Sequence, residues 1–186
     1  MANAAQRIDP VTLDEFQAMR FGDRKAELID GVIVVAQAFP TSRHGDIAGG
    51  ILVALANALR KGKLPCRAQT GAGIPIRLDR DYNLGPDVLV HCGGTRENPG
   101  LPVLVAEVLS PSNSATEMMK KLHAYQAVDS LTDILLVEQD AYAVEHWTLI
   151  AGGAWTLAPH RNGPDAVLAL PRFGAEWRLE ELYGDS

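Results

Sequence analysis

The sequence predicts an α/β domain, on three observations. Two stretches carry apolar residues at helical spacing, at 44–60 and 114–127. Short apolar runs have the length of buried strands, at 86–92, 102–109 and 134–137. The C-terminal third alternates polar and apolar residues between glycine-containing turns, which is typical of antiparallel hairpins added to the edge of a sheet.

The N-terminal part predicts a short helix followed by a hairpin. Thr12 and Glu15 are spaced as a capping box, so a helix should begin directly after Thr12. Segments 26–29 and 32–35 flank Asp30-Gly31, a dipeptide typical of two-residue hairpin turns. These two segments should therefore form a pair of antiparallel strands.

Length and composition indicate one globular domain over residues 1–186. Hydrophobic residues make up 47% of the 186 residues and charged residues 22%, both ordinary for such a domain. The net charge of −6 argues against broad, sequence-blind affinity for nucleic acid, but carboxylates that bind metal would contribute to it. No apolar run approaches the roughly 18 residues of a membrane span. The N-terminus lacks a secretory signal pattern, so we expect a cytoplasmic location and no membrane association.

The two cysteines give no sign of a metal site. Cys66 and Cys92 stand far apart, without a CxxC or CxxxH neighbourhood. We therefore predict two free thiols in a reducing compartment.

Two carboxylates interrupt otherwise apolar strands. Asp87 lies in GPDVLVHC and Glu107 in LPVLVAEVLSPS. An unpaired buried carboxylate is costly, so two of them on neighbouring strands predict a divalent-metal site. Mg²⁺ or Mn²⁺ would fit, because such hard cations select carboxylate and carbonyl oxygens, and the carbonyl of Val108 is a candidate ligand. The alternative for Asp87 is a strand-start carboxylate that caps backbone amides.

A lysine-bearing helix follows these strands. Glu117, Lys121 and Tyr125 recur at i+4 and share one face, whereas Lys120 points about 100° away. If this face looks inward, Glu117 positions the Lys121 ammonium and Tyr125 packs or hydrogen-bonds behind it. The alternative is a surface ion pair between Glu117 and Lys121, worth about 0.3–0.5 kcal/mol. Two acids and a lysine around a metal provide the chemistry of phosphodiester cleavage.

Several motifs together resemble the Uma family of restriction-endonuclease-like proteins, within the PD-(D/E)xK nuclease superfamily. The likeness covers about residues 10–183 and is carried by Glu27-Leu28-Ile29-Asp30-Gly31, Pro40 with His44, Pro86-Asp87, Glu107-Val108-Leu109-Ser110-Pro111-Ser112, and the helix with Glu117, Lys121 and Tyr125. The resemblance implies a restriction-endonuclease-like core, in which helices flank a mixed central sheet. It also implies a metal-dependent phosphodiesterase site formed by Asp87, Glu107 and a lysine.

One departure from the superfamily pattern concerns that lysine. The expected position, two residues after the second acid, holds Leu109, and the resemblance points instead to Lys121. The resemblance also makes Glu27 a candidate for an additional metal or water contact. His44 could touch phosphate or water, and Gln69, on a strand predicted within 66–79, could face the same pocket. Each of these residues has a purely structural alternative.

The sequence therefore predicts a Mg²⁺-dependent endonuclease that hydrolyses DNA phosphodiester bonds, with Asp87, Glu107 and Lys121 as catalytic residues. The alternative is a catalytically inactive nuclease-like fold that binds a nucleic acid or a protein. A hydrolase of small phosphodiesters is a third candidate. A homodimer is plausible, because one catalytic centre cuts one strand.

Overall fold

The computed structural model describes residues 9–22, 24–36, 40–95, 97–111 and 113–184. In chain order the elements are α1 (Leu13–Ala18), β1 (Ala26–Ile29), β2 (Val32–Val35), α2 (Ser42–Lys61), β3 (Cys66–Gln69), β4 (Ile74–Arg77), β5 (Asp81–Leu84), β6 (Val88–Gly93), β7 (Gly100–Leu109), α3 (Ala115–Gln126), β8 (Asp133–Glu138), β9 (Ala143–Leu149), β10 (Trp155–Leu157), β11 (Arg161–Asn162), β12 (Val167–Leu170), the 3₁₀ turn Pro171–Phe173, β13 (Ala175–Arg178) and α4 (Leu179–Tyr183).

The larger sheet is mixed, as the family resemblance implies. Its strand order in the described chain is β10-β9-β8-β7-β6-β3, and β11 pairs with β9. Strands β7 and β8 are parallel and are connected through α3, whereas β6 and β9 run antiparallel to their neighbours. The hairpin of β9 and β10 extends one edge, which confirms the expected addition for these strands, whereas β12 and β13 pair with each other in a separate two-stranded sheet and do not join that edge.

A smaller antiparallel sheet has the order β2-β1-β5-β4. Asp30 and Gly31 connect β1 to β2 with φ of 55° and 72°, the positive values of a type I′ turn. The predicted capping box also forms, with Thr12 and Glu15 hydrogen-bonded to each other. The single strand predicted within 66–79 is wrong, because β3 joins the larger sheet and β4 the smaller one.

The two faces of the larger sheet pack against different partners. Helix α2 covers the face that carries Leu104, Ala106 and Val108 of β7. Helix α3 and the smaller sheet cover the opposite face, which carries Val105. Because side chains alternate along a strand, Glu107 also points to this second face, beneath α3.

The two cysteines form a disulfide between neighbouring strands. Cys66 of β3 lies directly opposite Cys92 of β6, and their sulfur atoms are bonded. The prediction of two free thiols is therefore wrong. The two cysteines are 26 positions apart in the sequence, and only the register of the two strands brings them together. None of the described helices is both long enough and apolar enough to cross a membrane.

Candidate active site

Asp87 lies immediately before β6 and accepts hydrogen bonds from two directions. Its Oδ2 accepts the backbone N–H of Val108 at 2.9 Å. Its Oδ1 lies 3.3 Å from Nε2 of His44 and 3.5 Å from Nζ of Lys25. Burial of Asp87 opposes ionisation, but the hydrogen bond to His44, the charge of Lys25 and the Val108 amide outweigh it and lower the pKa of Asp87. Asp87 is thus an ionised carboxylate at neutral pH, and it also caps a backbone amide.

Glu107 is buried beneath α3 and receives two hydrogen bonds from that helix. Tyr125 donates its hydroxyl to Glu107 Oε1 at 2.6 Å, and Lys121 donates to the same oxygen at 3.1 Å. Burial raises the pKa of Glu107, and the charge of Lys121 counteracts this effect. Both donors use Oε1, so within the described residues Oε2 is the oxygen that remains available to a ligand.

Lys121 connects two acids that are far apart in the sequence. Its Nζ lies 2.8 Å from Glu27 Oε2 and 3.1 Å from Glu107 Oε1. Burial disfavours the ammonium, but the charges of Glu107 and Glu27 outweigh that effect and raise the pKa of Lys121. The other oxygen of Glu27, Oε1, accepts the backbone N–H of Gly85 at 2.7 Å. Glu27, Lys121 and Glu107 therefore form a buried charged triad.

Of the three residues on one face of α3, Lys121 and Tyr125 contact the site and Glu117 does not. Lys121 and Tyr125 both point toward Glu107, whereas Lys120 pairs with Asp30 at 2.7 Å. Within the described part of the chain, the Glu117 side chain takes no part in this network, since the ammonium pairs with Glu27 and Glu107 instead. The expectation that Glu117 positions the Lys121 ammonium is therefore wrong.

Gln69 lies on the sheet face of the site without bonding its residues, and Lys25 makes a contact that the sequence interpretation did not include. Gln69 lies opposite Leu89 and so shares a sheet face with Asp87, but its side chain forms no hydrogen bond with Asp87, Glu107 or Lys121 in the described structure. Lys25 was not singled out by its sequence, although it contacts Asp87. The available signal was its position two residues before Glu27, because the side chains of i and i+2 lie on the same side of an extended segment.

The oxygen atoms grouped here suit a hard divalent cation. The N–H of Val108 points toward Asp87, and the C=O of one residue in a strand projects to the same side as its N–H. Continuing the register of β6 and β7 places Pro86 opposite Val108, and a proline has no N–H to donate to that carbonyl. Two carboxylates and a carbonyl are ligands that Mg²⁺ or Mn²⁺ accepts. No group of three or more His, Cys, Asp and Glu side chains suited to holding a metal occurs among the described residues.

Comparison with known proteins relates this geometry to a family. A stretch of 56 residues is 36% identical to a Synechocystis sp. protein named "Uncharacterized protein sll1609", and covers 30% of this chain and 32% of that protein. The chain thus matches about a third of that relative's length. The fold resembles the crystal structure of a "putative nuclease belonging to DUF820" from Anabaena variabilis. Their TM-score is 0.75 at 21% identity, over 94% of this chain and 98% of the other, which shows a common fold.

The family assignment comes from the sequence over almost the whole chain. Residues 13–180 match the Uma2 family, described as "Putative restriction endonuclease". This match confirms the resemblance carried by the motifs around Glu27, Asp87 and Glu107. The protein belongs to the Uma2 family of restriction-endonuclease-like proteins.

Proposed function

We propose that this protein is a metal-dependent endonuclease that hydrolyses phosphodiester bonds in DNA. The observation that carries the proposal is the convergence of Asp87 and the Lys121-bound Glu107 at the adjoining ends of β6 and β7. The nuclease-like fold and the family support the same reaction class. We further propose that the chain acts as one domain over 1–186 and works in the cytoplasm.

Asp87, Glu107 and the carbonyl of Val108 would hold Mg²⁺ or Mn²⁺. When bound, such a cation lowers the pKa of water and neutralises charge on the phosphate. The lowered pKa of Asp87 keeps its carboxylate available at neutral pH. Lys121 and Tyr125 fix Glu107 through Oε1, which leaves Oε2 free of described hydrogen bonds to the protein and able to serve as the metal ligand. Glu27 contributes by holding the Lys121 ammonium.

His44, at the start of α2, contacts Oδ1 of Asp87, the oxygen that Lys25 also contacts. Its Nε2 is within reach of a group that approaches that carboxylate. We propose that His44 orients Asp87 in the absence of substrate and donates a hydrogen bond to a phosphate oxygen or to water in its presence.

Plasmid cleavage tests the proposal directly. Purified protein is incubated with supercoiled DNA in Mg²⁺, in Mn²⁺ and in EDTA, and metal binding is measured by calorimetry. We expect metal-dependent cleavage that Asp87→Asn and Glu107→Gln each abolish. Asp46→Asn, an exposed acid of α2, is the matched control and should retain activity. Cleavage by Asp87→Asn at the wild-type rate would place the active site elsewhere.

The second candidate is a nuclease-like fold that binds without cutting. It is favoured by Leu109, which stands where the superfamily carries its lysine, and by the net charge of −6. This candidate requires that calorimetry detect no metal binding and that affinity for DNA or a protein survive Glu107→Gln.

The proposed nuclease has one catalytic centre in each chain, so cutting both strands of a duplex would require two chains. We therefore propose that it forms a homodimer on DNA, which sedimentation with and without duplex would detect.

A further inference from the structure

Two lysines reach the proposed metal ligands, and they lie in very different surroundings. Lys121 contacts Glu107, and its side chain is 4% exposed. Lys25 contacts Asp87, and its side chain is 49% exposed. A residue that contacts a polymeric phosphate must be accessible from solvent, so the two lysines cannot serve the same purpose.

The ammonium of Lys121 is already committed to protein ligands. Glu27 and Glu107 accept from it at 2.8 Å and 3.1 Å, and the Tyr125 hydroxyl closes the same cluster on Glu107. These two acceptors use two of the three N–H groups of the ammonium, and because the side chain is only 4% exposed, a polymeric phosphate could reach the third only by entering the buried cluster and disturbing its carboxylates. Removing a partner from a buried ion pair is strongly unfavourable. Lys121 is therefore suited to positioning Glu107.

Lys25 is held at the rim of the same site. Its Nζ lies 3.5 Å from Asp87 Oδ1, a distance at the limit of a hydrogen bond, so this contact is easily exchanged for a better acceptor. Its side chain lies against the backbone at position 85, where a Cβ on Gly85 would come within 3.4 Å of the Lys25 Cε. This is an ordinary van der Waals distance, so the lysine stem runs close along this backbone on its way to Asp87.

We propose that Lys25 is the lysine that contacts the substrate, through a non-bridging oxygen of the phosphate that lies at Asp87. This inference depends on the proposed function and identifies which cation meets the anionic phosphate. Lys121 is a positioning residue that acts through Glu107. The alternative is that Lys25 forms an exposed ion pair with Asp87 and has no role in the reaction.

The test compares Lys25→Met with Lys120→Met, a matched control in which a half-exposed lysine pairs with Asp30 away from the site. Loss of a donor to the transition state should lower kcat for plasmid cleavage about 10²-fold in Lys25→Met, by analogy with removal of an oxyanion donor. Lys25→Arg should recover part of this loss. Lys120→Met should remain within about twofold of the wild type.

Binding to duplex DNA in Ca²⁺ provides a readout that does not depend on cleavage. Each phosphate contact contributes about 0.9 to the slope of log K against log salt concentration, so Lys25→Met should reduce that slope by about this amount. Lys120→Met should leave the slope unchanged. Lys121→Met should instead raise the Mg²⁺ concentration that gives half-maximal cleavage, because it disturbs Glu107, whereas Lys25→Met should not.

The outcomes separate this inference from the function on which it depends. If the wild type neither cuts nor binds DNA, the proposed function fails, and this inference fails with it. If the wild type cuts or binds but Lys25→Met matches Lys120→Met in rate and in salt slope, the assignment of Lys25 fails alone. A reduced rate together with a reduced slope supports it.

Discussion

Replacing Lys121 by methionine should destabilise the fold far more than the same change at Lys120. Methionine keeps the length of the side chain but leaves Glu27 and Glu107 buried without the cation between them. Removing one partner of a buried ion pair costs about 3–5 kcal/mol. Lys120 loses a pair with Asp30 in which both side chains are partly exposed, a change worth about 0–1 kcal/mol. The two neighbouring positions should therefore differ by about 3 kcal/mol.

Urea unfolding measures this difference. With a slope of about 2 kcal/mol per M, 3 kcal/mol corresponds to a midpoint about 1.5 M lower for Lys121→Met than for Lys120→Met. If Lys121→Met does not fold, the double variant Lys121→Met/Glu107→Gln, which lacks one of the two stranded charges, provides the same comparison. Equal midpoints for Lys121→Met and Lys120→Met would refute the argument that the triad is buried and mutually dependent.

The loss of stability in Lys121→Met should also depend on pH, and it should become smaller as the pH falls. Burial already raises the pKa of Glu107 and the charge of Lys121 counteracts this, so Lys121→Met should raise the pKa further. A carboxyl whose pKa is higher in the folded state destabilises the protein while it is ionised, and this penalty disappears as the pH falls through the folded-state pKa. Relative to the wild type, Lys121→Met should therefore recover stability as the pH falls from 7 toward 4.5, the ordinary pKa of a glutamate. If the free energy of unfolding of Lys121→Met is lower than that of the wild type by the same amount at every pH, the explanation by unpaired buried carboxylates is wrong.

Two further comparisons examine packing and the alkaline limit of stability. Burial raises the pKa of Tyr183 from 10.0 to about 12, so the unfolded state ionises first and the free energy of unfolding should fall as the pH rises from 10 to 12. Tyr183→Phe should lack this pH dependence, and identical pH profiles of the two proteins would contradict the raised pKa. At pH 7, Tyr183→Phe should lower the free energy of unfolding by about 1–3 kcal/mol, because the lost hydroxyl donates to the carbonyls of Glu138 and Ala143. In α2, a Cβ at position 49 meets no atom within 4 Å, so Gly49→Ala should stabilise the protein by about 0.5–1 kcal/mol. A Cβ at position 50 would lie 2.2 Å from a backbone oxygen of α4, so Gly50→Ala should lower the melting temperature. A rise in melting temperature for both alanine variants would contradict that close contact.

Local signals in the sequence predict the elements that hold the acids. The Asp30-Gly31 dipeptide predicts the hairpin, because the turn chemistry is contained within two residues. The apolar runs around Asp87 and Glu107 predict neighbouring strands, because a carboxylate in such a run requires a partner. The i+4 spacing of Lys121 and Tyr125 predicts a common face, and that face does meet Glu107.

The contacts that complete the site depend on pairings between distant segments. Glu27 meets Lys121 only because the smaller sheet packs on the α3 face of the larger one. Lys25 reaches Asp87 by the same packing. No spacing within the sequence encodes this arrangement. The disulfide cannot be predicted from the sequence for the same reason, because Cys66 and Cys92 meet through the register of two strands.

The displaced lysine has a consequence for how the site is built. Leu109 shares the strand face of Glu107 and packs into the apolar cluster beneath α3, so this position contributes to the core. Lys121 brings a cation to the same carboxylate from the helix above, where it is enclosed by Glu27 and Glu107. Enclosure makes Lys121 effective in fixing Glu107, but it removes that charge from the solvent side of the site. Under the proposed function, an anionic substrate would meet a cation supplied by another segment, and Lys25, which directly precedes β1 and extends to Asp87, is placed to supply it. A protein of net charge −6 can thus offer local positive charge where a phosphate would bind.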